Sequence, residues 1–230
     1  MKKIFAQIIS CFMPTKTLRH NVKNYILAKT SNHGKNNKII YVDKNNKKHV
    51  FRKLPGCRIR FYGDNNYVEI HGPFKNMQLN ATMHGNSKII IQSSKYESRK
   101  FKIEGMTNCS LNIGKDFYVN GMLFLEFTEN TNVHIGNDCM FSYDIIIRTG
   151  DGHPIYSTKT KKRINLNSDI FIGNHVWVAA RSVILKGTRI SDNSIVGACS
   201  LCNKKFLDTN VIIAGVPASI KKHDIEWKRG

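Results

Sequence analysis

Acidic residues are scarce in this chain of 230 residues, which contains 16 Asp and Glu against 36 Lys and Arg. The formal net charge of +20 favours polyanionic partners, such as phosphate-bearing cofactors, acidic polysaccharides, anionic membranes or nucleic acids. No nucleic-acid-binding motif accompanies the charge, and the basic residues are spread along the whole chain. We therefore expect no nucleic-acid partner.

The sequence also lacks a long hydrophobic run and a cysteine framework. No segment approaches the roughly 20 apolar residues that span a bilayer. The six cysteines have no framework spacing, and the one close pair, Cys199 and Cys202, lacks the further ligands that a zinc site needs. Scattered free cysteines are typical of a reducing cytoplasm, so we expect a cytoplasmic protein without a metal.

The strongest positive signal is a repeat of six residues from Ile172 to Leu201. Five consecutive blocks open with Ile or Val, and the same register recurs from Ile135 to Ile147. A helix repeats every 3.6 residues and a lone strand every two, so neither explains a period of six. A chain that makes short strands, turns and stacks on itself does explain it. The sequence predicts an all-β solenoid with the aliphatic positions inside.

The repeat breaks between Arg148 and Asp169. Loops inserted into a regular repeat lie on one face and often carry function. This one contains His153 between Gly152 and Pro154. A histidine, with an unperturbed pKa of about 6.5, suits a general base at neutral pH. The alternative is an exposed turn histidine.

Three motifs in this region resemble the hexapeptide-repeat acyltransferases: Asp151–Ile155 around the histidine, Ile172–Trp177 after the loop, and Ala214–Ala218, where Val216 replaces the family's usual Asn. The resemblance covers residues 133 to 227. Within the family, the chain is most similar to bacterial O-acetyltransferases of capsule, lipopolysaccharide or sialic-acid sugars. It implies a left-handed parallel β-helix, a homotrimer, acetyl-CoA as co-substrate and a sugar or glycan acceptor.

The resemblance also implies residue roles. His153 would take the proton of the acceptor hydroxyl and later protonate the CoA thiolate. Asp151 or Asp144 would orient its imidazole, although each could equally be a turn residue. Trp177 and His175 would lie at the acceptor or pantetheine cleft, unless Trp177 packs against a neighbouring subunit. Contacts to CoA are expected from Ala179, Ala180, Gly197, Ala198, Lys204, Lys205 and Lys222. The alternative is that the small residues only form tight coil corners and that the lysines are solvated.

The residue patterns of the sequence divide the chain into five segments. Residues 1–30 read as a basic amphipathic helix, lying either on the inner membrane surface or against its own protein. Residues 31–58 read as a linker and a β-hairpin, and 59–132 as irregular early coils or a separate small β-domain. The regular solenoid follows at 133–210 with the active-site loop at 148–169, and 211–230 reads as a last strand and a capping helix.

Other functions remain open from sequence. N-acetylation of an amino sugar would use the same base and cofactor as O-acetylation. A non-catalytic solenoid that binds glycan or membrane would leave the His153 loop without a role. A β-helix metalloenzyme of the γ-carbonic-anhydrase type would need a His-x4-His pair, which none of the nine histidines forms.

Overall fold

The computed structural model describes residues 28–229, which form strands and turns without any helix. No helix capable of crossing a membrane is found in this range. The strands, in chain order, are β1 Lys29–Asn32, β2 Lys38–Val42, β3 Lys48–Val50, β4 Cys57–Phe61, β5 Tyr67–His71, β6 Phe74–Gly85, β7 Lys88–Ile91, β8 Ser94–Thr107, β9 Ser110–Ile113, β10 Tyr118–Val119, β11 Leu123–Phe127, β12 Asn132–Ile135, β13 Met140–Phe141, β14 Ile145–Arg148, β15 Ile170–Ile172, β16 Trp177–Val178, β17 Val183–Leu185, β18 Arg189–Ile190, β19 Ile195–Val196, β20 Leu201–Cys202, β21 Lys205–Phe206, β22 Ile212–Gly215 and β23 Ala218–Lys222.

Three parallel ladders form the faces of the solenoid. Ladder 1 contains β1, β4, β6, β8, β11, β14, β17 and β20, and ladder 3 contains β2, β5, β7, β9, β12, β15, β18 and β21. Ladder 2 begins with the paired first halves of β6 and β8 and continues through β10, β13, β16, β19 and β22. Antiparallel strands close two edges, since β3 pairs with β2 and β23 pairs with β22.

Each coil passes from ladder 2 to ladder 1 and then to ladder 3. The paired residues Trp177 and Ile195 are 18 positions apart, which is three hexads. Met140 and Trp177 also pair but are 37 positions apart, because residues 149–169 leave the solenoid between β14 and β15. The break in the sequence repeat is therefore an arm that projects from an otherwise regular stack. We call the turn from ladder 1 to ladder 3 corner A, from ladder 3 to ladder 2 corner B, and from ladder 2 to ladder 1 corner C.

The core is a column of inward aliphatic and aromatic side chains. The hexad positions Ile172, Val178, Ile184, Ile190 and Val196 are all fully buried. One hydrophobic cluster runs from Ile39 in β2 to Ala218 in β23. Residues 59–132 thus share their core and their ladders with the later coils, and the predicted inward stacking is confirmed.

Asn and Asp side chains occupy the corners. Most non-glycine residues with positive φ are Asn or Asp, which tolerate the left-handed conformation that a tight corner requires. At corner A the amide of Asn65 donates to Asn86, and that of Asn108 donates to Asn130. These side-chain ladders join successive coils outside the core.

The predicted C-terminal helix is wrong. Ala218–Lys222 forms β23, and the residues after it run as a turn and an extended strap. Ala218 and Ile220 face the core at a spacing of two, and the open edge of β22 offers hydrogen-bond partners that a helix would leave unpaired. We call residues 223–229 the strap.

The predictions for the N-terminal residues have mixed outcomes. Residues 1–27 of the amphipathic segment lie outside the described residues. Its end is a strand rather than a helix, since Lys29–Asn32 pairs with β4. This strand, β1, also includes the first two residues of the expected linker. The side-chain amide of Asn37 donates to the carbonyl of Gly63, so residues 33–37 form a coil corner. The predicted hairpin corresponds to β2 and β3.

Candidate active site

The arm of residues 149–169 is anchored in the solenoid by Thr149. This fully buried residue accepts a hydrogen bond from the Thr128 amide at 2.9 Å and bonds the Thr131 hydroxyl at 2.6 Å. Beyond it the arm doubles back, with the Ile164 amide donating to the Ile155 carbonyl at 2.8 Å. The arm is therefore a short hairpin with a fixed base.

Asn165 locks the tip of the arm around the histidine. Its side-chain amide donates to the Asp151 carboxylate at 2.9 Å and to the His153 carbonyl at 2.8 Å. Its side-chain oxygen accepts from the Ile155 amide at 2.6 Å. One nearly buried side chain thus fixes the backbone on both sides of His153.

The His153 side chain is exposed at the outside of this turn. Gly152 precedes it with φ of +85°, a conformation that side chains disfavour. Within residues 28–229 no hydrogen-bond partner contacts the imidazole. The geometry leaves the ring available to an acceptor molecule.

Neither predicted orienting acid contacts the imidazole within the chain. Asp151 accepts from Lys186 at 2.6 Å and from Asn165, and these hydrogen bonds hold the pKa of Asp151 below its ordinary value. Asp144 lies at corner C, at the opposite end of ladder 1. Asp151 therefore ties the arm to the next coil through Lys186.

A cavity of about 420 Å³ lies beside the arm, on the outward face of ladder 1. Phe124 lies in its wall, and the Lys102 ammonium sits 4.6 Å from the centre of that ring. Glu126 is another wall residue and pairs with Arg148 at 2.8 Å. The full lining is His84, Lys102, Glu104, Gly105, Met106, Phe124, Glu126, Phe127, Thr128 and Gly152. This volume falls in the range of small-ligand sites.

The two predicted cleft residues both lie near the indole of Trp227, and neither lines the cavity beside the arm. Trp177 is half-buried on the outward face of ladder 2, between Met140 and Ile195. His175 lies at corner B, where its ring nitrogens contact the Asp138 carboxylate at 2.6 Å and the Trp227 carbonyl at 3.0 Å. His175 is thus engaged by the strap.

The small residues expected to meet CoA all lie at corner C. Ala179 and Ala180 form this turn in one coil, and Gly197 and Ala198 form it in the next. The expected lysines are dispersed: Lys204 precedes β21 with its ammonium 5.7 Å from the Phe206 ring centre, Lys205 lies on ladder 3, and Lys222 ends β23. A single chain does not bring these seven residues together with His153.

Sequence reasoning missed Asn165, Lys186 and Trp227. The first two contact Asp151 only because the arm folds back and the next coil stacks beneath it. No short-range pattern signals such contacts. The sequence predicts a helix over 218–227, and no pattern in it signals that Trp227 packs on His175.

Known acetyltransferases resemble this chain in sequence and in fold. No family model matches the sequence. A polysialic acid O-acetyltransferase of Neisseria meningitidis is 37% identical over 168 residues, covering 73% of this chain and 77% of the relative. One of Escherichia coli O1:K1 is 38% identical over 109 residues, which is 47% of this chain but 35% of that longer protein. A galactoside O-acetyltransferase of Lactococcus lactis is 33% identical over 121 residues, covering 52% of this chain and 56% of the relative.

Two crystal structures share the fold. The polySia-specific acetyltransferase NeuO superposes with a TM-score of 0.74 at 29% identity, covering 88% of this chain and 89% of the other. The polysialic acid O-acetyltransferase OatWY gives a TM-score of 0.69 at 30% identity, covering 88% and 90%. More than a third of the aligned residues are identical to those of the Neisseria relative, and the alignment covers most of both proteins. This chain therefore belongs to the hexapeptide-repeat O-acetyltransferases and is an acyltransferase.

Proposed function

We propose that this enzyme transfers an acetyl group from acetyl-CoA to a hydroxyl of polysialic acid, with His153 as the general base. The observation that carries the proposal is the arm, which holds the His153 imidazole in a fixed backbone beside a cavity, with no hydrogen-bond partner among the described residues. The acceptor class is taken from the relatives' names. A net charge of +20 suits a polymer with one carboxylate on each sugar.

The chemistry assigned to His153 is a proton transfer in two directions. Acetyl-CoA supplies the activated acetyl group as a thioester. The imidazole accepts the proton of the sugar hydroxyl as its oxygen attacks the thioester carbonyl, and it returns this proton to the sulfur as the carbon–sulfur bond breaks. Asn165 and the Asp151–Lys186 pair hold the backbone that carries the ring.

We propose that a second copy of the chain completes the site. Ladder 1 is about five residues, or roughly 16 Å, wide between corner A, which carries the arm, and corner C, which carries the small residues. Pantetheine held at corner C of one subunit would reach His153 on the arm of its neighbour. Lys204, Lys205 and Lys222 would then meet the CoA phosphates from either subunit.

Exposed apolar surface supports such an assembly. Ile155, Tyr156, Ile164 and Leu166 of the arm are each more than half exposed. Phe124, Ile146, Val183 and Leu201 form a continuous outward row on ladder 1. Surface of this kind marks interaction sites. A ring of three subunits with left-handed coils, as the family resemblance implies, would cover it by one repeated contact.

The test is release of CoA thiol from acetyl-CoA in the presence of single acceptors. Polysialic acid, free sialic acid, a neutral galactoside and an amino sugar would be compared at equal sugar concentration. We expect release with polysialic acid to exceed the others by at least tenfold. Preferential release with the galactoside or the amino sugar would contradict the acceptor assignment.

A further inference from the structure

A row of four exposed side chains runs along corner A of the early coils: His33, Tyr62, His84 and Met106. The proposed acetyl transfer does not use this row. His33 stacks on Tyr62 with ring centres 5.5 Å apart, and Tyr62 stacks on His84 at 5.4 Å. Met106 continues the row in the next coil. Tyr62 is 54% exposed and Met106 is 42% exposed, so four successive coils present an apolar or aromatic group to solvent at the same position.

Arginines lie beside this row on the outward face of β4. Arg60 donates to the Asn80 side-chain oxygen at 3.0 Å, and Arg58 is exposed. Among residues 28–229 neither guanidinium has a carboxylate within ion-pair distance. The two carboxylates further along this face are already paired, Glu104 with Lys102 at 3.0 Å and Glu126 with Arg148 at 2.8 Å. The face therefore carries a positive charge that no carboxylate of residues 28–229 neutralises by an ion pair.

The row ends at the arm. His84 and Met106 line the same cavity as Phe124 and Gly152, the residue before the proposed base. Coils stack about 4.8 Å apart, so the distance from His33 to Met106 is about 15 Å along the solenoid. An extended ligand lying on this row would enter the cavity beside His153.

We propose that the row of His33, Tyr62, His84 and Met106, together with Arg58 and Arg60, is a second binding surface for the acidic glycan chain. It holds sugars remote from the one that reacts and directs the chain toward His153. This inference rests on the proposed acceptor class. A guanidinium binds a carboxylate through two parallel hydrogen bonds, and aromatic and thioether groups pack against the apolar faces of sugar rings.

Equilibrium binding without acetyl-CoA tests the proposal independently of catalysis. Long polysialic acid and a sialic acid dimer would be titrated calorimetrically into wild type, Tyr62→Ala, the double variant Arg58→Ala/Arg60→Ala, and Arg189→Ala. The last removes a guanidinium from ladder 3, away from the row. We expect Kd for the long polymer to rise about tenfold in the first two variants and to stay unchanged in Arg189→Ala. Binding of the dimer should be equal in all four proteins.

Two outcomes would overturn the proposal. If Tyr62→Ala and Arg58→Ala/Arg60→Ala both bind the long polymer with wild-type affinity, the row only joins coils and does not bind the glycan. A lower Tm of Tyr62→Ala would support that structural role. Tighter binding of a single-stranded RNA of equal charge would assign the surface to a different polyanion. Should Tyr62→Ala fail to fold, the double arginine variant decides, because it leaves the aromatic stack intact. Row-dependent binding without acetyl transfer by wild type would support this surface and contradict the proposed function alone.

Discussion

The indole of Trp227 stacks on the imidazole of His175 with ring centres 4.0 Å apart and planes inclined by 11°. The indole N–H donates to the His175 carbonyl at 3.0 Å, and Asp138 contacts both His175 and, at 2.9 Å, Arg229. These contacts fix the strap along corner B. The Trp227 ring also lies 6.1 Å from that of Trp177, so the strap supports the outward face of ladder 2.

Replacing Trp227 with Ala should destabilise the fold. The side chain is 6% exposed, and its removal leaves a cavity and an unpaired His175 carbonyl, which together cost roughly 3 kcal/mol. Thermal and urea unfolding would measure the change. Trp227→Phe keeps a ring on His175 without the N–H donor and should lose less. Equal stability of wild type and Trp227→Ala would show that the strap does not contribute to the fold.

Asn165→Ala should impair catalysis more than stability. Without its hydrogen bonds to Asp151, His153 and Ile155 the turn around His153 becomes mobile, and loss of orientation of this kind costs about 10- to 100-fold in kcat. Steady-state kinetics with saturating acetyl-CoA would measure it. Asn112→Ala, an exposed asparagine on ladder 3, is the matched control. An unchanged kcat in Asn165→Ala would mean that the arm is rigid without this clamp.

The core of this fold was predictable from sequence because a stacked coil constrains every sixth residue in the same way. Ile172, Val178 and Ile184 each need an aliphatic side chain, so the period appears directly in the sequence. The C-terminal strand was not predictable on this basis. The apolar residues of 218–227 fit a helix as well as a strand, and only the open edge of β22 decides between them.

The sequence indicates His153 as the candidate base because this residue lies where the repeat breaks, but it does not indicate the contacts that hold it. Asn165 lies 12 positions later and reaches the His153 carbonyl only after the arm has folded into a hairpin. Asp151 was predicted as a possible orienting acid for the imidazole, but its partners are Lys186 and Asn165, which depend on tertiary contacts.

Glu69 should make stability depend on pH in the acid range. Burial would raise its pKa, but hydrogen bonds from Lys48, Tyr67 and His71 outweigh this effect and lower the pKa to about 2. A lowered pKa stabilises the fold above the unfolded value of about 4.3, and this contribution is lost as pH falls through 2. Glu69→Gln should therefore cost about 2 kcal/mol at pH 7 and progressively less between pH 4 and pH 2.

Unfolding of both proteins by urea across this pH range would test the Glu69 prediction. Glu226→Gln is a suitable control, because the Glu226 side chain is 76% exposed and its pair with Lys228 is at the surface. A difference between wild type and Glu69→Gln that stays constant down to pH 2 would contradict the assigned hydrogen bonds.

Mixed subunits should restore activity if the site lies between two copies. His153→Ala removes the proposed base, and Ala198→Trp fills corner C, so each variant alone should be inactive. Randomly mixed rings would contain intact sites at about one quarter of the wild-type number, since each site draws one element from each neighbour. Activity after co-refolding would measure this. Complete inactivity of verified mixed rings would place both elements of the site in one subunit.

The most direct test of the central claim is transfer of labelled acetyl to polysialic acid by wild type, His153→Ala and the control His49→Ala, whose histidine lies in the N-terminal hairpin. Polymer binding by each protein would be measured alongside. General-base catalysis predicts a rate at least about 10²-fold lower for His153→Ala, with polymer binding and the His49→Ala rate unchanged. Transfer by His153→Ala at the wild-type rate would remove His153 from the mechanism and contradict the account.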